Sequence, residues 1–291
     1  MHLTRSKWIG LLYLAPAILF VLAFTVYPFA QMAWMSLHRW PLIGEHRFIG
    51  LDNFARAFTD RQFWISLGFT LKYTLWITPI LMILGYLVAL LTAPNTPLLK
   101  FTRTVVFIPV VVGLGTSSVL WYWLFNYDYG LVNQALVDLG IVSEPIIWFG
   151  SDPDVAMWAV IISIVWKVLG FGMILFVAAI HAVPSEINEA SVVDGASVWQ
   201  RVWHLTLPLT YKTILLVTLI SIIGSLLAFD QFYIMTAGQP FNQTATSVFW
   251  IYFNSFPFFR LGYGAALSLI LAAIILSATI TQIVLSRRSR V

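Results

Sequence analysis

Residues 189–195 read Glu-Ala-Ser-Val-Val-Asp-Gly, and residues 205–208 read Leu-Thr-Leu-Pro. Both segments belong to a short polar stretch that lies between two long apolar runs. The rest of the chain has the composition of a polytopic membrane protein: 60% of its 291 residues are hydrophobic, 10% are charged, and the mean hydropathy is +0.87. In such a chain a polar stretch is expected to do more than connect two spans, and we interpret it as a surface for a partner.

The polar stretch carries the signals of two short helices joined by a turn. Pro184 suits a first helical turn, where its missing N–H costs nothing, and Ser185 follows it with an oxygen acceptor. Gly195 can adopt the left-handed conformation that ends a helix, and Ser197 can cap the next one. Because proline breaks a helix interior, we expect the second helix to end before Pro208. The prediction is a bent helix pair on the membrane surface.

Six apolar runs are long enough to cross a bilayer, which takes about 20 residues each. The runs cover residues 8–34, 69–91, 104–125, 155–182, 213–235 and 261–285. The first run could be mistaken for a secretion signal, but it is too long and no small-residue cleavage site follows it. The sequence therefore predicts an all-α membrane protein with six transmembrane helices, forming one domain over residues 1–291.

The distribution of basic residues predicts the orientation, because cytoplasmic connections carry an excess of lysine and arginine. With the N-terminus inside, the nine inner residues are Arg5, Lys7, Lys100, Arg103, Arg201, Lys212, Arg287, Arg288 and Arg290. The five outer residues are Arg39, Arg47, Arg56, Arg61 and Arg260. This count predicts that both termini, and the polar loop at about 183–212, lie in the cytoplasm.

Several classes of protein are made improbable by what the sequence lacks. It has no cysteine, which excludes disulfides and thiolate metal sites. It has no Gly-x-x-x-x-Gly-Lys-Ser/Thr loop, so ATP hydrolysis would have to come from another polypeptide. The spans contain no nucleophile elbow or paired catalytic carboxylates, and no basic patch suits a nucleic acid. We expect a transport subunit rather than an enzyme; the alternative is a subunit of a secondary transporter or channel not driven by ATP.

The polar loop resembles the EAA loop of binding-protein-dependent ABC importer permeases. That pattern is Glu-Ala-Ala, three residues, Gly, nine residues and Ile-x-Leu-Pro. The matching positions are Glu189, Ala190, Gly195, Leu207 and Pro208. Ser191 replaces the second alanine and Leu205 replaces the isoleucine.

The resemblance extends beyond the loop to the carbohydrate-uptake branch of the same family. Residues 50–54 read Gly-Leu-Asp-Asn-Phe and are followed by Asp60 and by Phe-Trp at 63–64, as in the outer segment of that branch. Residues 229–236 are also similar to it. At 238–240 the usual Gly-Gly-Pro is Gly-Gln-Pro.

The resemblance implies a type I ABC importer permease in the cell (inner) membrane that translocates a sugar or related polyol. It implies a second homologous permease subunit, two copies of a cytoplasmic ABC ATPase and an extracytoplasmic solute-binding protein as partners. No cofactor is expected on this chain, because ATP and Mg²⁺ would be bound by the ATPase. The residues expected to couple the chain to the ATPase are Glu186, Glu189, Ala190, Asp194, Gly195 and Pro208.

Three ionisable residues lie within predicted spans, where charge is costly and often functional. Lys72 is near a span end, so its ammonium can snorkel to the headgroups. Lys167 and Asp230 have similar estimated depths. Two roles remain open for them: a pairing across the bundle, or a place in the substrate path.

Aromatic and hydroxyl residues on the two spans beside the polar loop suit a sugar, which presents both an apolar face and hydroxyls. Most other aromatics are expected to form interfacial belts. The residues predicted to line the substrate path are Trp166, Lys167, Phe171, Ser221, Ser225, Phe229 and Asp230.

Overall fold

The computed structural model describes residues 13–41 and 43–288, with side chains as far as Val284. The start of the first predicted span, at Trp8, lies outside the described residues. So do Arg5, Lys7 and Arg290, which contributed to the predicted orientation.

The described chain is mostly helical. Its helices are α1 Tyr13–Ser36, α2 Asp52–Thr59, α3 Arg61–Thr92, α4 Pro97–Val111, α5 Leu114–Leu124, α6 Leu131–Asp138, α7 Pro153–His181, α8 Ser185–Val193, α9 Val198–Leu226, α10 Asp230–Met235, α11 Ser247–Ser255 and α12 Leu261–Arg288. Two short strands, β1 His38–Arg39 and β2 Arg47–Phe48, pair antiparallel.

Five helices, namely α1, α3, α7, α9 and α12, are long and apolar enough to cross a membrane. The third predicted span, at 104–125, is not continuous: α4 and α5 meet at a bend of 99°. Pro109 lies in the last turn of α4, Val112 is extended, and Gly113 caps α5. The bend has a local cause, because the proline removes a backbone donor and the extended residue ends the helical ladder. The six predicted spans therefore correspond to five helices and one broken pair.

The predicted end of a helix before Pro208 is wrong. Helix α9 continues through this proline, because residues Val202–Thr206 form a π turn and Pro208 lies in the first turn of the α-helix that follows. A π turn is a common way for a helix to accommodate a missing or displaced hydrogen bond.

The fifth predicted span, at 213–235, is also divided. Helix α9 ends at Leu226, and the separate helix α10 begins at Asp230. The Ala228 carbonyl between them accepts a hydrogen bond of 2.7 Å from the Thr246 hydroxyl, which satisfies a group that the break would leave unpaired.

Contacts divide the chain into two compact units. The larger, residues 62–249 with 275–291, has two apolar clusters. In the first, the buried Phe232 ring meets the edge of Tyr73 at 5.0 Å between centroids. Within this unit α4 and α7 pack closely. The closeness is evident at Gly170, where an added Cβ would lie 2.4 Å from the Val106 carbonyl oxygen. Small residues permit such close helix contacts in membranes.

The smaller unit comprises residues up to 61 and 250–274. The buried Asn53 amide donates to the carbonyl oxygens of Ser36 and His38, at 2.8 and 2.9 Å, and so ties α2 to the hairpin. The Asp60 carboxylate accepts hydrogen bonds from Trp250 and Tyr263, at 3.0 and 2.7 Å. Charge-assisted bonds of this kind hold the end of α2 on α11 and α12.

Candidate functional site

A cavity of about 240 Å³ lies among α3, α7, α9 and α10, within the larger unit. Its wall is mostly apolar, and its polar side chains come from Tyr73 of α3, from Ser221 and Ser225 near the end of α9, and from Asp230 and Gln231 in the first turn of α10. The residues lining it include Tyr73, Ile77, Phe171, Gly172, Ser221, Gly224, Ser225, Phe229, Asp230 and Gln231. An apolar cavity with a few convergent polar groups is typical of a small-molecule site.

The break between α9 and α10 creates the polar side of this cavity. It lets Ser225 and Asp230 line the cavity from different helices. The Ser225 hydroxyl donates to the Ile222 carbonyl at 2.9 Å, which leaves its lone pairs as acceptors. Asp230 is partly buried in the first turn of α10, where the helix dipole favours a carboxylate.

Five of the seven residues predicted for the substrate path line this single cavity. They are Phe171, Ser221, Ser225, Phe229 and Asp230. Trp166 and Lys167 do not line it. The Trp166 ring instead packs edge-on against Trp121, with 5.8 Å between ring centroids.

Of the two roles left open for Lys167 and Asp230, a pairing across the bundle is not seen in this structure. The buried Lys167 ammonium donates to the carbonyl oxygens of Pro109 and Val110, at 3.3 and 2.9 Å. These carbonyls belong to the last turn of α4, where the helix ends; the Pro109 carbonyl also accepts the Val112 amide at 3.2 Å, whereas the Val110 carbonyl has lost the partner that a continued helix would supply. A cation at a helix C-terminus is also favoured by the helix dipole. The Lys167 ammonium thus supplies hydrogen bonds to the carbonyl end of α4, at the break between α4 and α5.

Lys72 also has a partner that the sequence did not indicate. Its ammonium forms an ion pair with Asp154 at the start of α7. Both side chains are about half exposed, at 45% and 55%. The pair joins α3 to α7 in an exposed position.

Two polar cavity residues were missed by the sequence analysis. Tyr73 and Gln231 are both buried in the cavity wall, and their side chains interact. Thr70, Tyr73 and Ile77 follow one another at helical spacing and are all buried. That spacing could have identified the cavity-facing side of α3.

The polar loop has the predicted turn geometry. Gly195 has φ of +76°, and the amide of Ala196 donates to the Ser191 carbonyl at 2.9 Å, which is the Schellman ending of a helix. Ser197 and Gln200 exchange the two hydrogen bonds of a capping box, at 2.7 and 3.3 Å. Pro184 is the N-cap residue rather than the first helical residue, because its ψ of 136° is extended.

The surface of this loop is largely solvent-exposed. The side chains of Glu186, Glu189 and Asp194 are exposed, and none of them forms an ion pair within the described chain. Val193 is 87% exposed and Trp199 is 67% exposed. Apolar and acidic groups are therefore displayed together on a short, well-capped helix pair.

Helices long and apolar enough to span a membrane, arranged around a cavity and joined by a capped polar loop, are typical of a polytopic transport permease. The chain matches the family described as "Binding-protein-dependent transport system inner membrane component" over residues 66–291, and it belongs to that family. It is thus a multi-pass permease subunit of an ATP-driven ABC importer, in which ATP hydrolysis belongs to a separate subunit.

Several characterised transport proteins are similar over nearly the whole chain. The trehalose/maltose transport system permease protein MalF of Thermococcus litoralis is 33% identical, covering 98% of this chain and 96% of that protein. The sulfoquinovosyl glycerol transport system permease protein SmoG of Agrobacterium fabrum is 33% identical, covering 94% and 89%. The lactose transport system permease protein LacF of Rhizobium radiobacter is 32% identical, covering 97% and 95%.

The fold is also similar to a solved structure. A chain in the crystal structure of a bacterial alginate ABC transporter, in complex with an alginate pentasaccharide-bound periplasmic protein, superimposes with a TM-score of 0.86. The identity is 24%, and the match covers 98% of this chain and 96% of that one. This likeness supports the type I importer fold over nearly the full length.

Proposed function

We propose that this permease translocates a sugar or related polyol, and that the cavity among α3, α7, α9 and α10 is part of the cargo path. The observation that carries the proposal is the composition of the cavity wall, in which Phe171 and Phe229 accompany Ser221, Ser225 and Asp230. Aromatic rings suit the apolar C–H face of a sugar, and the hydroxyl and carboxylate oxygens suit its hydroxyl groups. The names of the three relatives, which concern disaccharides and a sugar-substituted glycerol, favour the same class of cargo.

The chain would act within a larger assembly. A second homologous permease would complete the pathway, an extracytoplasmic binding protein would deliver the cargo, and two ATPase copies would bind ATP and Mg²⁺. The loop from Ser185 to Ser197 is the proposed ATPase contact, since it displays exposed carboxylates and exposed apolar side chains on a rigidly capped scaffold. With both termini in the cytoplasm, as the basic residues predict, this loop faces the ATPase.

The proposed coupling is mechanical. Closure of the ATPase pair would move α8 as a rigid body, because a Schellman turn and a capping box fix the ends of the turn that follows it. Helix α9 begins directly after that turn and ends at the cavity, at Ser225 and Leu226. Movement of the loop would thereby reach the cavity wall through one helix.

Uptake by cells with a single altered carboxylate tests the cargo path. In cells that carry the complete importer, Asp230→Asn should reduce uptake of the transported sugar about tenfold or more, because a charge-assisted hydrogen bond to a sugar hydroxyl is lost. Radiolabelled trehalose, maltose and lactose are the probes. The matched control is Asp138→Asn, at the exposed end of α6.

The altered protein must also be present in the membrane and bound to its partners, which immunoblotting and co-purification report. Normal uptake by an assembled Asp230→Asn importer would contradict a cargo role for the cavity. A similar loss of uptake in Asp138→Asn would show that the effect is not specific to the cavity.

A further inference from the structure

A second cavity, of about 500 Å³, lies within the smaller unit and is lined by three arginines. Arg39 comes from β1, Arg56 from the last turn of α2, and Arg260 from the residue before α12. Asp52 is the only acidic residue that lines it. Counting three guanidinium groups against one carboxylate, the wall has a net charge of +2. Such a wall attracts anions.

Backbone contacts fix the shape of this cavity. Pro41 and Arg260 form an antiparallel bridge, and the Gly262 amide donates to the Trp40 carbonyl at 3.4 Å. The approach is so close that a Cβ on Gly262 would lie 2.1 Å from the His38 carbonyl oxygen. The arginines therefore project from a preformed frame rather than from a loose loop.

The arginines that line the cavity are not neutralised by ion pairs in the described part of the chain, and two of them contact aromatic rings. None of the three forms an ion pair within the described residues. The Arg56 guanidinium lies over the Tyr263 ring at 4.4 Å, and that of Arg260 lies over Phe258 at 5.4 Å. A guanidinium stacked on a ring keeps its N–H edge available for an anion.

The strand register adds a further cation at the same place. Arg39 lies directly opposite Arg47 in the hairpin. Like charges at facing positions destabilise a pair of strands, unless an anion lies between or beside them.

We propose that this cavity binds a phosphate group, supplied by the headgroup of an anionic phospholipid. Arginine forks match the oxygens of a phosphate in pairs, which a single surface lysine cannot do. The cavity lies where α1 ends at Ser36 and where α12 begins at Leu261, so it is at a membrane–water boundary. Aromatic side chains at that level, here Trp40 and Tyr263, commonly lie among lipid headgroups. The proposal does not depend on the identity of the transported cargo.

Thermal unfolding of the full-length protein in a neutral detergent, followed by tryptophan fluorescence, tests the site. Short-chain phosphatidylglycerol should raise the unfolding temperature in a saturable way, and phosphatidylcholine of the same chain length should not. Arg39→Gln and Arg260→Gln should each weaken the apparent affinity for phosphatidylglycerol about fivefold. Arg61→Gln, an exposed arginine of the same unit that does not line the cavity, is the matched control and should leave it unchanged.

Further arms of the experiment distinguish the sources of the phosphate. If inorganic phosphate stabilises the protein with the same dependence on Arg39 and Arg260, the site takes a free anion and the lipid assignment is overturned. Arg260→Lys separates charge from geometry, because it keeps the cation and loses the fork; it should bind with intermediate affinity and should fold normally.

Equal stabilisation by the two lipids would overturn the proposal, and so would a phosphatidylglycerol effect that survives both glutamine variants. If Arg61→Gln weakened the affinity for phosphatidylglycerol to the same degree, the effect would be one of general surface charge and the proposed site would be overturned. Unchanged lipid binding combined with lost docking of an extracytoplasmic protein would assign the arginines to a protein contact instead.

Discussion

At the scale of single residues, the Lys167 ammonium lies among backbone carbonyls at the point where a membrane-spanning helix is interrupted. Sequence reasoning correctly singled out this lysine as unusual within an apolar run. It left two roles open, pairing with Asp230 or a place in the substrate path, and could not foresee the carbonyl partners because depth along a helix says nothing about which neighbouring helix is broken. The carbonyls of Pro109 and Val110 become acceptors only once α4 ends.

Replacing this lysine should destabilise the protein. Lys167→Met leaves the Val110 carbonyl without its donor and removes one of the two donors to the Pro109 carbonyl, at a cost of about 1–3 kcal/mol in the free energy of unfolding. Lys72→Met is the matched control; because its ion pair with Asp154 is about half exposed, it should cost about 1 kcal/mol or less. Thermal unfolding in detergent measures both.

A double substitution distinguishes this role from a buried ion pair. Since Lys167 and Asp230 have separate surroundings, Lys167→Met and Asp230→Asn should be additive in their effects on unfolding. Recovery of stability in the double variant would instead show that the two charges are paired, contrary to the contacts seen here.

At the scale of elements, the close packing of α4 against α7 requires that residue 170 be a glycine, with a hydrogen atom in place of a side chain. Gly170→Ala should cost about 1–3 kcal/mol, because its Cβ would lie 2.4 Å from a backbone oxygen that cannot rotate away. Gly68→Ala, within α3, is the matched control: nothing lies within 4 Å of its Cβ. It should be neutral or stabilising by up to about 1 kcal/mol, since alanine favours a helix. Equal unfolding temperatures for the two variants would contradict this account of the helix contact.

The turn after α8 gives a second prediction at this scale. Gly195→Asp should leave the protein folded and in the membrane, but should abolish co-purification with the ATPase and uptake, because it adds charge and strain to the proposed contact. Gly140→Asp is a close match as a control. Gly140 and Gly195 have φ of +67° and +76°, and neither has a neighbour within 4 Å of its Cβ. ATPase binding as strong in Gly195→Asp as in Gly140→Asp would rule out the coupling role of this turn.

The elements differ in how far sequence could predict them. The turn at Gly195 and the cap at Ser197 were predictable, because both are local effects of single residue types. The break near Pro109 was also readable from proline and from the nearby Gly113, although the apolar run concealed it. The continuation of α9 through Pro208 was not predictable. It depends on the π turn at Val202–Thr206, and the α and π hydrogen-bond patterns are locally too similar to be told apart from sequence.

At the scale of the whole molecule, the orientation in the membrane is a prediction that cysteine labelling can check. The chain has no native cysteine, so each introduced one reports alone. An impermeant maleimide should label Ser197→Cys only in inside-out vesicles and Ser143→Cys only from the outside. Both serines are exposed. Asn133, on the same side as Ser143, is unsuitable because it is buried and hydrogen-bonded to Ile146 and Trp148.

Labelling of Ser197→Cys from the outside would reverse the orientation and remove the argument for ATPase contact. Ser191, although it belongs to the polar loop, is buried and would not report reliably.

The cavity could be predicted in part. Phe229 and Asp230 were found because a polar residue among aromatics stands out in an apolar run. Tyr73 was not, because it lies on a helix far away in sequence and only the fold brings it to the cavity. Trp166 packs against Trp121 and does not line this cavity, and periodicity alone does not tell which side of a wholly apolar helix meets a neighbour.

In the coupling proposed above, α9 would act as a lever, because it is continuous from Val198 to Leu226. Its 29 residues, at about 1.5 Å each, give an arm of about 43 Å. A tilt of about 5° around the end beside Ser197 would carry the far end through roughly 4 Å. That distance exceeds the length of a hydrogen bond, so a small rotation at the loop suffices to separate Ser221 and Ser225 from whatever they hold. The π turn at Val202–Thr206 lies close to the fulcrum, so a bend at this turn would change the position of the far end more than the same bend anywhere nearer the cavity.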